Sequence, residues 1–376
     1  MIKATRTQWI KFAVVLALYL IFLVWLRSWL GLVVVPFIFD AYITKKIPWT
    51  WWRQSKNRHV VTVMGWVDAI VFALVAVYFV NLYFFQNYVI PSSSLEKSLL
   101  TGDYLFVSKM SYGPRVPQTP LHMPLAQHTL PIFNCKSYLE HPQWEYKRVK
   151  GLGEVRLNDI VVFNFPAGDT VATGVPNDDI YRLSYGAGKE LAKPMDLASM
   201  TPEQQRVVYD YYYQLGREYL KENPQNFGEI ISRPVDRREN YVKRCVGLPG
   251  QTLEIKDRII YLDGKANKEP DNVQYRYLVK TKRPIPDDLA HELGISREDM
   301  MMYYTDASVY NMPLTEKAKA GLLARKDVAI GIENTPADDA GGLYPLNMYK
   351  NWTTDNYGPV WIPKKGETVK LTLENL

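Results

Sequence analysis

Three consecutive serines, Ser92, Ser93 and Ser94, lie between Pro91 and Leu95. A single lysine, Lys243, sits inside the apolar stretch Tyr241-Val-Lys-Arg-Cys-Val-Gly-Leu-Pro-Gly250. A serine hydroxyl becomes a useful nucleophile when a neighbouring base removes its proton, and lysine is such a base once it is neutral. With a strand period of two, Tyr241, Lys243 and Cys245 share a face. Burial of that face would lower the lysine pKa by up to ~3–5 units from ~10.4. Each stretch also has a plainer reading. Ser93 and Glu96 fit a capping box, with Gly102 ending a short helix, and an isolated strand lysine is ordinarily solvated. Local pattern leaves both readings open.

Other chemistry is thinly represented. The five histidines (59, 122, 128, 141 and 291) have no ligand spacing, and Cys135 and Cys245 form no C-x-x-C, so no structural zinc site is expected. Whether the two cysteines meet is not readable from sequence. The formal charge of +6 is modest and gathers into no nucleic-acid stripe, which favours a membrane surface as partner.

The elements that must carry the serines and the lysine divide the chain. Residues 1–86 read as a membrane anchor with two apolar regions, 12–39 and 60–85, each judged against the ~20 residues a span needs. The second is the cleaner. Tyr78, Tyr83, Phe84, Phe85 and Tyr88 crowd its end as an aromatic belt, and Asp68 is expected at the interface or against another helix. The first is interrupted at Arg27-Ser28 and reads as one long helix or two short ones. The basic loop 43–59, with Lys45, Lys46, Arg53, Lys56 and Arg58, belongs in the cytoplasm by the positive-inside rule. Everything past Asn87 then lies outside. The basic N-terminus favours an even number of crossings in the first region; a single first span would need the N-terminus outside.

Residues 87–376 read as mainly β. Strands are expected at 104–109, 159–166, 241–248, 251–264 and 368–376, with a turn at Asp263-Gly264. Helices are expected at 201–223, capped by Thr201, and at 314–326, with Thr315 as cap. Leu289–Ser296 resembles the turn of a helix-turn-helix but lacks the basic neighbours of a DNA reader.

Four motifs in order after a span resemble type I signal peptidase, the leader peptidase family. Pro91-Ser92-Ser93-Ser94-Leu95 matches P-S-x-S-M, and Gly102-Asp103-Tyr104-Leu105 continues it. Asn158-Asp159-Ile160-Val161-Val162-Phe163 matches R-G-D-I-V-V-F, and Lys243-Arg244-x-Val246-Gly247-Leu248-Pro249-Gly250 matches the lysine motif. The resemblance covers roughly residues 61–265. SKMSYGPRVP and DNYGPVWIPKKG are similar to long-insertion members of the Bacteroidetes lineage, which places insertions near 111–153, 172–238 and 268–350. The resemblance implies Ser94 as nucleophile and Lys243 as general base. It also implies the Ser92 hydroxyl and the Ser94 amide as oxyanion hole, with Asp159 and Arg244 in support. It implies a mainly β catalytic domain of antiparallel sheets with helical insertions, preceded by transmembrane helices, in the bacterial inner membrane as a multi-pass protein with its catalytic domain outside. No cofactor or metal is implied. The implied partners are preprotein signal peptides and membrane lipid, with the secretion translocon as a further candidate and no nucleic acid.

The sequence departs from the family at Leu95, at Lys97 (usually proline) and at Gln251 (often acidic). It also shows no match to the closing G-D-N-R…S-x-D-S-R, which contains a serine that holds the lysine. The expectation is a chain that is C-terminally incomplete or lacks that orienting group. The alternative activity class is then an inactive homologue that binds preproteins without cutting them. A Ser/Lys enzyme that cleaves itself to control DNA binding is disfavoured by the spans.

Overall fold

The computed structural model describes residues 4–372 apart from 131, 134, 303, 307, 337–342, 345 and 347–351. They form two compact units. One comprises Met1–Tyr88, Tyr104–Glu154 and Pro234–Arg237; the other comprises Val89–Asp103, Val155–Arg233 and Arg238–Leu376.

The first unit opens with α1 (Arg6–Leu26), started by a capping box between Thr5 and Gln8. It ends at Arg27, whose left-handed backbone (φ 50°) lets the amide bond back to Leu23 and Val24. This is the interruption seen in the 12–39 region. From Leu30 the chain runs through a 3₁₀ turn, the short helix α2 (Val35–Phe39) and a π turn at Asp40–Thr44. That segment doubles back along α1: the Tyr19 hydroxyl donates to the Gly31 carbonyl at 2.7 Å, and Phe39 meets Phe12 at 5.4 Å. Asp40 fixes the far bend by accepting from the Lys46 and Ile47 amides and the Trp49 indole. The first region is therefore neither one helix nor two equal ones. Helix α3 (Arg58–Tyr83) follows, capped by Asn57. Both α1 and α3 are long and apolar enough to cross a membrane, ~31 and ~39 Å at ~1.5 Å per residue. Asp68 is paired with Arg53 at 3.6 Å. Beyond α3, strands β1 (Phe85–Val89) and β2 (Tyr104–Ser108) pair, as do β3 (Arg115–Val116) and β4 (Lys147–Arg148).

The second unit is a set of antiparallel ladders. Strand β5 (Ile160–Asn164) pairs with β8 (Asn240–Arg244) and β6 (Thr170–Ala172) with β7 (Ile230–Ser232). Between β6 and β7 come α4 (Ile180–Leu191), α5 (Pro202–Glu222) and the single turn α6 (Pro224–Phe227). Thr201 and Gln204 close a capping box on α5. The two long helices touch backbone to backbone, because a Cβ on Gly188 would stand 1.7 Å from the Tyr212 carbonyl oxygen. Next is a sheet of β9 (Thr252–Lys256), β10 (Ile259–Leu262) and β11 (Lys265–Ala266), with β16 (Tyr357–Trp361) on its other edge. Its two tight turns, Asp257-Arg258 and Asp263-Gly264, place both central residues at positive φ, the geometry that matches strand twist.

The last sheet comprises β12 (Gln274–Thr281), β13 (Tyr304–Asp306), β14 (Val309–Thr315) and β15 (Ala329–Asn334). It packs against three short helices, α7 (Asp287–Glu292), α8 (Arg297–Met302) and α9 (Glu316–Ala324), the last capped by Thr315. Of the apolar residues in the helix-turn-helix resemblance, Leu289, Ala290 and Ile295 are buried in this core and Leu293 packs against it. The expected strand at 368–376 does not form over 368–372; the remaining four residues lie outside the described residues.

Candidate active site

Ser94 stands at the tip of a loop whose ends are pinned together. The Ile90 amide donates to the Asp103 carbonyl at 3.0 Å, and the Gly102 amide donates to the Ile90 carbonyl at 2.9 Å. Ile90 itself is buried at 3% exposure. Gly102 makes the turn at φ 92°, and the Asp103 carboxylate accepts the Leu100 amide at 2.8 Å. Inside this frame Ser92 is extended and Ser93–Leu95 make one 3₁₀ turn with no side-chain cap. The capping-box reading of Ser93 and Glu96 is thus incorrect. The spacing is right, but no α-helix follows for it to cap.

Lys243 arrives from β8, opposite Val161 of β5. The ladder is anchored beyond it by Asn158 and Cys245, which exchange backbone bonds with each other's strand at 2.7 and 2.8 Å. Lys243 Nζ donates to Ser94 Oγ at 2.5 Å across 149 positions of sequence. Burial lowers its pKa below the ordinary lysine value. Among the described residues it forms no ion pair, so no carboxylate opposes that shift. Ser92 Oγ lies beside the pair, donating to Ser94 Oγ at 3.5 Å.

Arg244 points to the other face and acts as a brace. One nitrogen donates to the Asn158 carbonyl at 2.9 Å and another to Ser98 Oγ at 2.8 Å. It therefore links the strand that carries Lys243 to the loop that carries Ser94. The Asp159 carboxylate accepts the Arg156 amide at 2.9 Å and so shapes the turn before β5. Two further braces had no signal in the sequence. Ser98 is an unremarkable loop serine until Arg244 reaches it, and Asn272 donates to the Lys97 carbonyl at 3.1 Å across 175 positions of sequence. Lys97 has φ 68°, which a proline ring fixed near −65° cannot adopt. The loop thus follows a path that the family's usual proline would block.

A cleft of about 420 Å³ opens at Ser94. Ser93, Ser94 and Leu95 line it together with Asn272, Tyr275 and Arg276 from the region of β12. The arrangement offers a hydroxyl that lines the cleft and a desolvated amine in contact with it. No group of His, Cys, Asp and Glu that could hold a metal ion is found among the described residues. Both cysteines are free thiols.

Comparison with known proteins bears on this site. Residues 63–292, more than half of the chain, match the family described as signal peptidase, peptidase S26. Signal peptidase I of Rickettsia conorii is 25% identical over 174 residues, which cover 42% of this chain and 59% of the relative. The signal peptidase I of Helicobacter pylori is 42% identical over 56 residues, 15% of this chain and 18% of the relative. That of Bacillus amyloliquefaciens is 29% identical over 94 residues, 24% of this chain and 48% of the relative. The chain thus spans less than two thirds of the length of each of these relatives. No solved structure gives a significant match. With its family match running through both the Ser94 loop and the Lys243 strand, the chain belongs to the signal peptidase family, peptidase S26.

Proposed function

We propose that this chain is a membrane-bound endopeptidase that removes N-terminal signal peptides from exported proteins, with Ser94 as nucleophile and Lys243 as general base. The observation that carries the reading is the 2.5 Å contact between Lys243 Nζ and Ser94 Oγ. In the neutral amine the contact reverses: the Ser94 hydroxyl donates and the nitrogen lone pair accepts. Ser94 Oγ adds to the scissile carbonyl as its proton passes to Lys243. The Ser94 amide and the Ser92 hydroxyl hold the oxyanion; the hydroxyl must turn from Ser94 Oγ to do so. The ammonium then returns the proton to the leaving amine nitrogen, and the peptide bond breaks to give an acyl-enzyme. Lys243 takes a proton from water, whose oxygen attacks the ester. Collapse frees the carboxylate product and restores the Ser94 hydroxyl.

The same reading places the protein in the bacterial inner membrane. The 30–44 segment returns along α1, so the basic N-terminus and the basic loop before α3 come to one end, as the positive-inside rule requires of a cytoplasmic side. Helix α3 then delivers the Ser94 loop to the outer face.

The test is cleavage of a preprotein by the purified full chain and by its Ser94→Ala variant. Cleavage by the parent and none by the variant is expected. Cleavage retained in Ser94→Ala moves the nucleophile elsewhere.

A further inference from the structure

The first unit holds a second cleft, about 560 Å³, that the proposed reaction does not use. One wall is the last two turns of α3, with Val77 and Val80 facing it. Lys109, Arg115 and Arg237 also line the cleft. Asp236 is the single carboxylate among its lining residues; its Oδ2 accepts from the Gln118 and Thr119 amides and the Thr119 hydroxyl, and its charge acts on Arg115 and Arg237 but is no cause of the shift at Lys109. Arg237 stands 3.7 Å from that oxygen and donates to Thr119 Oγ1 at 2.7 Å. The floor is stiffened by His122, which contacts the Thr119 carbonyl through Nδ1 and lies against the Tyr78 ring at 4.8 Å. Positive charge is therefore in excess in a desolvated place. The consequence shows at Lys109, whose pKa is pushed down to about 8 by burial first, then by Arg115 and Arg148.

A cleft lined both by cations and by an apolar helix suits one kind of ligand. The head must be anionic, and the tail must lie along a surface that is itself long and apolar enough to sit in a bilayer. We propose that this cleft binds the phosphate of an anionic phospholipid of the outer leaflet, with Lys109 and Arg115 contacting the phosphate and an acyl chain running along Val77 and Val80 of α3. Charge-assisted hydrogen bonds to phosphate are about twice as strong as neutral ones. A phosphate would also supply the counter-charge that Lys109 now lacks. The bound lipid would hold the α3 exit against the 118–127 segment and so fix where the first unit meets the membrane surface. The inference rests on the reading that α3 crosses the membrane with its C-terminal end outside.

The test uses the full chain in detergent, titrated with phosphatidylglycerol or phosphatidylcholine and weighed by native mass spectrometry. The wild type is expected to retain one phosphatidylglycerol with at least about tenfold preference over phosphatidylcholine. Lys109→Met should lose that preference. Val80→Trp, which blocks the apolar wall without touching a charge, should lose it too and guards against a folding failure of the first variant. Equal retention of the two lipids by the wild type overturns the proposal. So does preference that survives both substitutions, or displacement of the lipid by millimolar inorganic phosphate, which would make the site one for the free anion. Binding in detergent needs no orientation. Its failure therefore speaks against the cleft, whereas failure of the crossing shows separately as labelling of an engineered cysteine near Lys56 from outside intact cells.

Discussion

Lys243 and Lys109 are both lysines whose ammonium is disfavoured by burial, yet their surroundings differ in kind. Burial is the sole cause of the shift at Lys243, and a serine hydroxyl waits 2.5 Å away. At Lys109 burial is joined by two arginines, and no carboxylate contributes to the shift. Desolvation can make an amine neutral in either place. At Lys243 the group in contact is a serine hydroxyl, and that serine lines a cleft of its own. The second has a charge deficit that an anion can fill. A depressed lysine pKa therefore reports a site, but the groups facing the nitrogen decide whether the site is for proton transfer or for binding.

The sharpest way to separate the two is to make each lysine permanently charged. Lys243→Arg keeps the length and the positive charge but cannot lose a proton at working pH. Turnover of a preprotein should fall by about 10⁴-fold, the scale on which single members of a coupled catalytic set act. Binding of an uncleaved signal peptide should be little changed. Steady-state kinetics on purified protein reads the first and equilibrium binding the second. A loss smaller than about tenfold would mean that Lys243 only places Ser94.

Next in size is the brace. Arg244→Ala removes both the Ser98 and the Asn158 contacts, so the Ser94 loop is no longer tied to the lysine strand. A displacement of ~1 Å at reacting atoms can cost about 10²-fold. The loss should fall on kcat with KM nearly unchanged, and the pH profile should keep its shape. Ser98→Ala, which removes one of the two ties, should cost less. A rise in KM at constant kcat would show that Arg244 touches substrate instead.

The Lys243 site was legible because its chemistry is concentrated in residue types and local runs. The serine triplet after Pro91 and the lone lysine in an apolar strand are visible without a fold, and β5, β8, β9 and β10 follow from β-branched runs and from Asp263-Gly264. What holds the pair together was not legible. Asn272 reaches Lys97 from 175 positions away, and no local pattern marks an asparagine side chain for a distant carbonyl. The Ser93–Glu96 spacing misled for a related reason: a capping box is a property of the helix that follows, and the loop closes on Ile90 and Asp103 before one can start. The return of residues 30–44 along α1 was hidden by its composition. Apolar residues continue on both sides of Arg27, and only its left-handed backbone turns the chain.

A third way to sharpen the contrast is pH. If neutral Lys243 is the base, turnover rises with pH until its lowered pKa is passed, with a limb of about tenfold per pH unit below it. The limb should end below the ~10.4 of a free lysine, because burial lowers the value. Lys109→Met should leave the limb where it is. A limb that moves with Lys109 would show that the two lysines are coupled and that the comparison is between parts of one site.

The smallest effect on turnover, and the closest test of what Lys109 does, comes from substituting it. Lys109→Arg keeps the charge that the cleft is proposed to use, so turnover of a short peptide should stay within about threefold and phosphatidylglycerol should still be preferred. Stability then distinguishes a desolvated lysine from a solvated one. The folded pKa of about 8 lies below the unfolded value of ~10.4. Between those values the unfolded chain holds the proton and the folded chain does not, so stability rises with pH across that window and the gain is lost as pH falls to about 8. For one proton the slope is ~1.4 kcal/mol per pH unit, or about 2 kcal/mol between pH 8 and 9.5. Chemical denaturation of wild type and Lys109→Met in lipid-free detergent should show this difference in slope. Added phosphatidylglycerol should flatten the wild-type curve, because a phosphate beside Lys109 raises its folded pKa toward the unfolded value. Parallel curves for the two proteins without lipid would mean that Lys109 is solvated, and the cleft would then have no deficit of negative charge to fill.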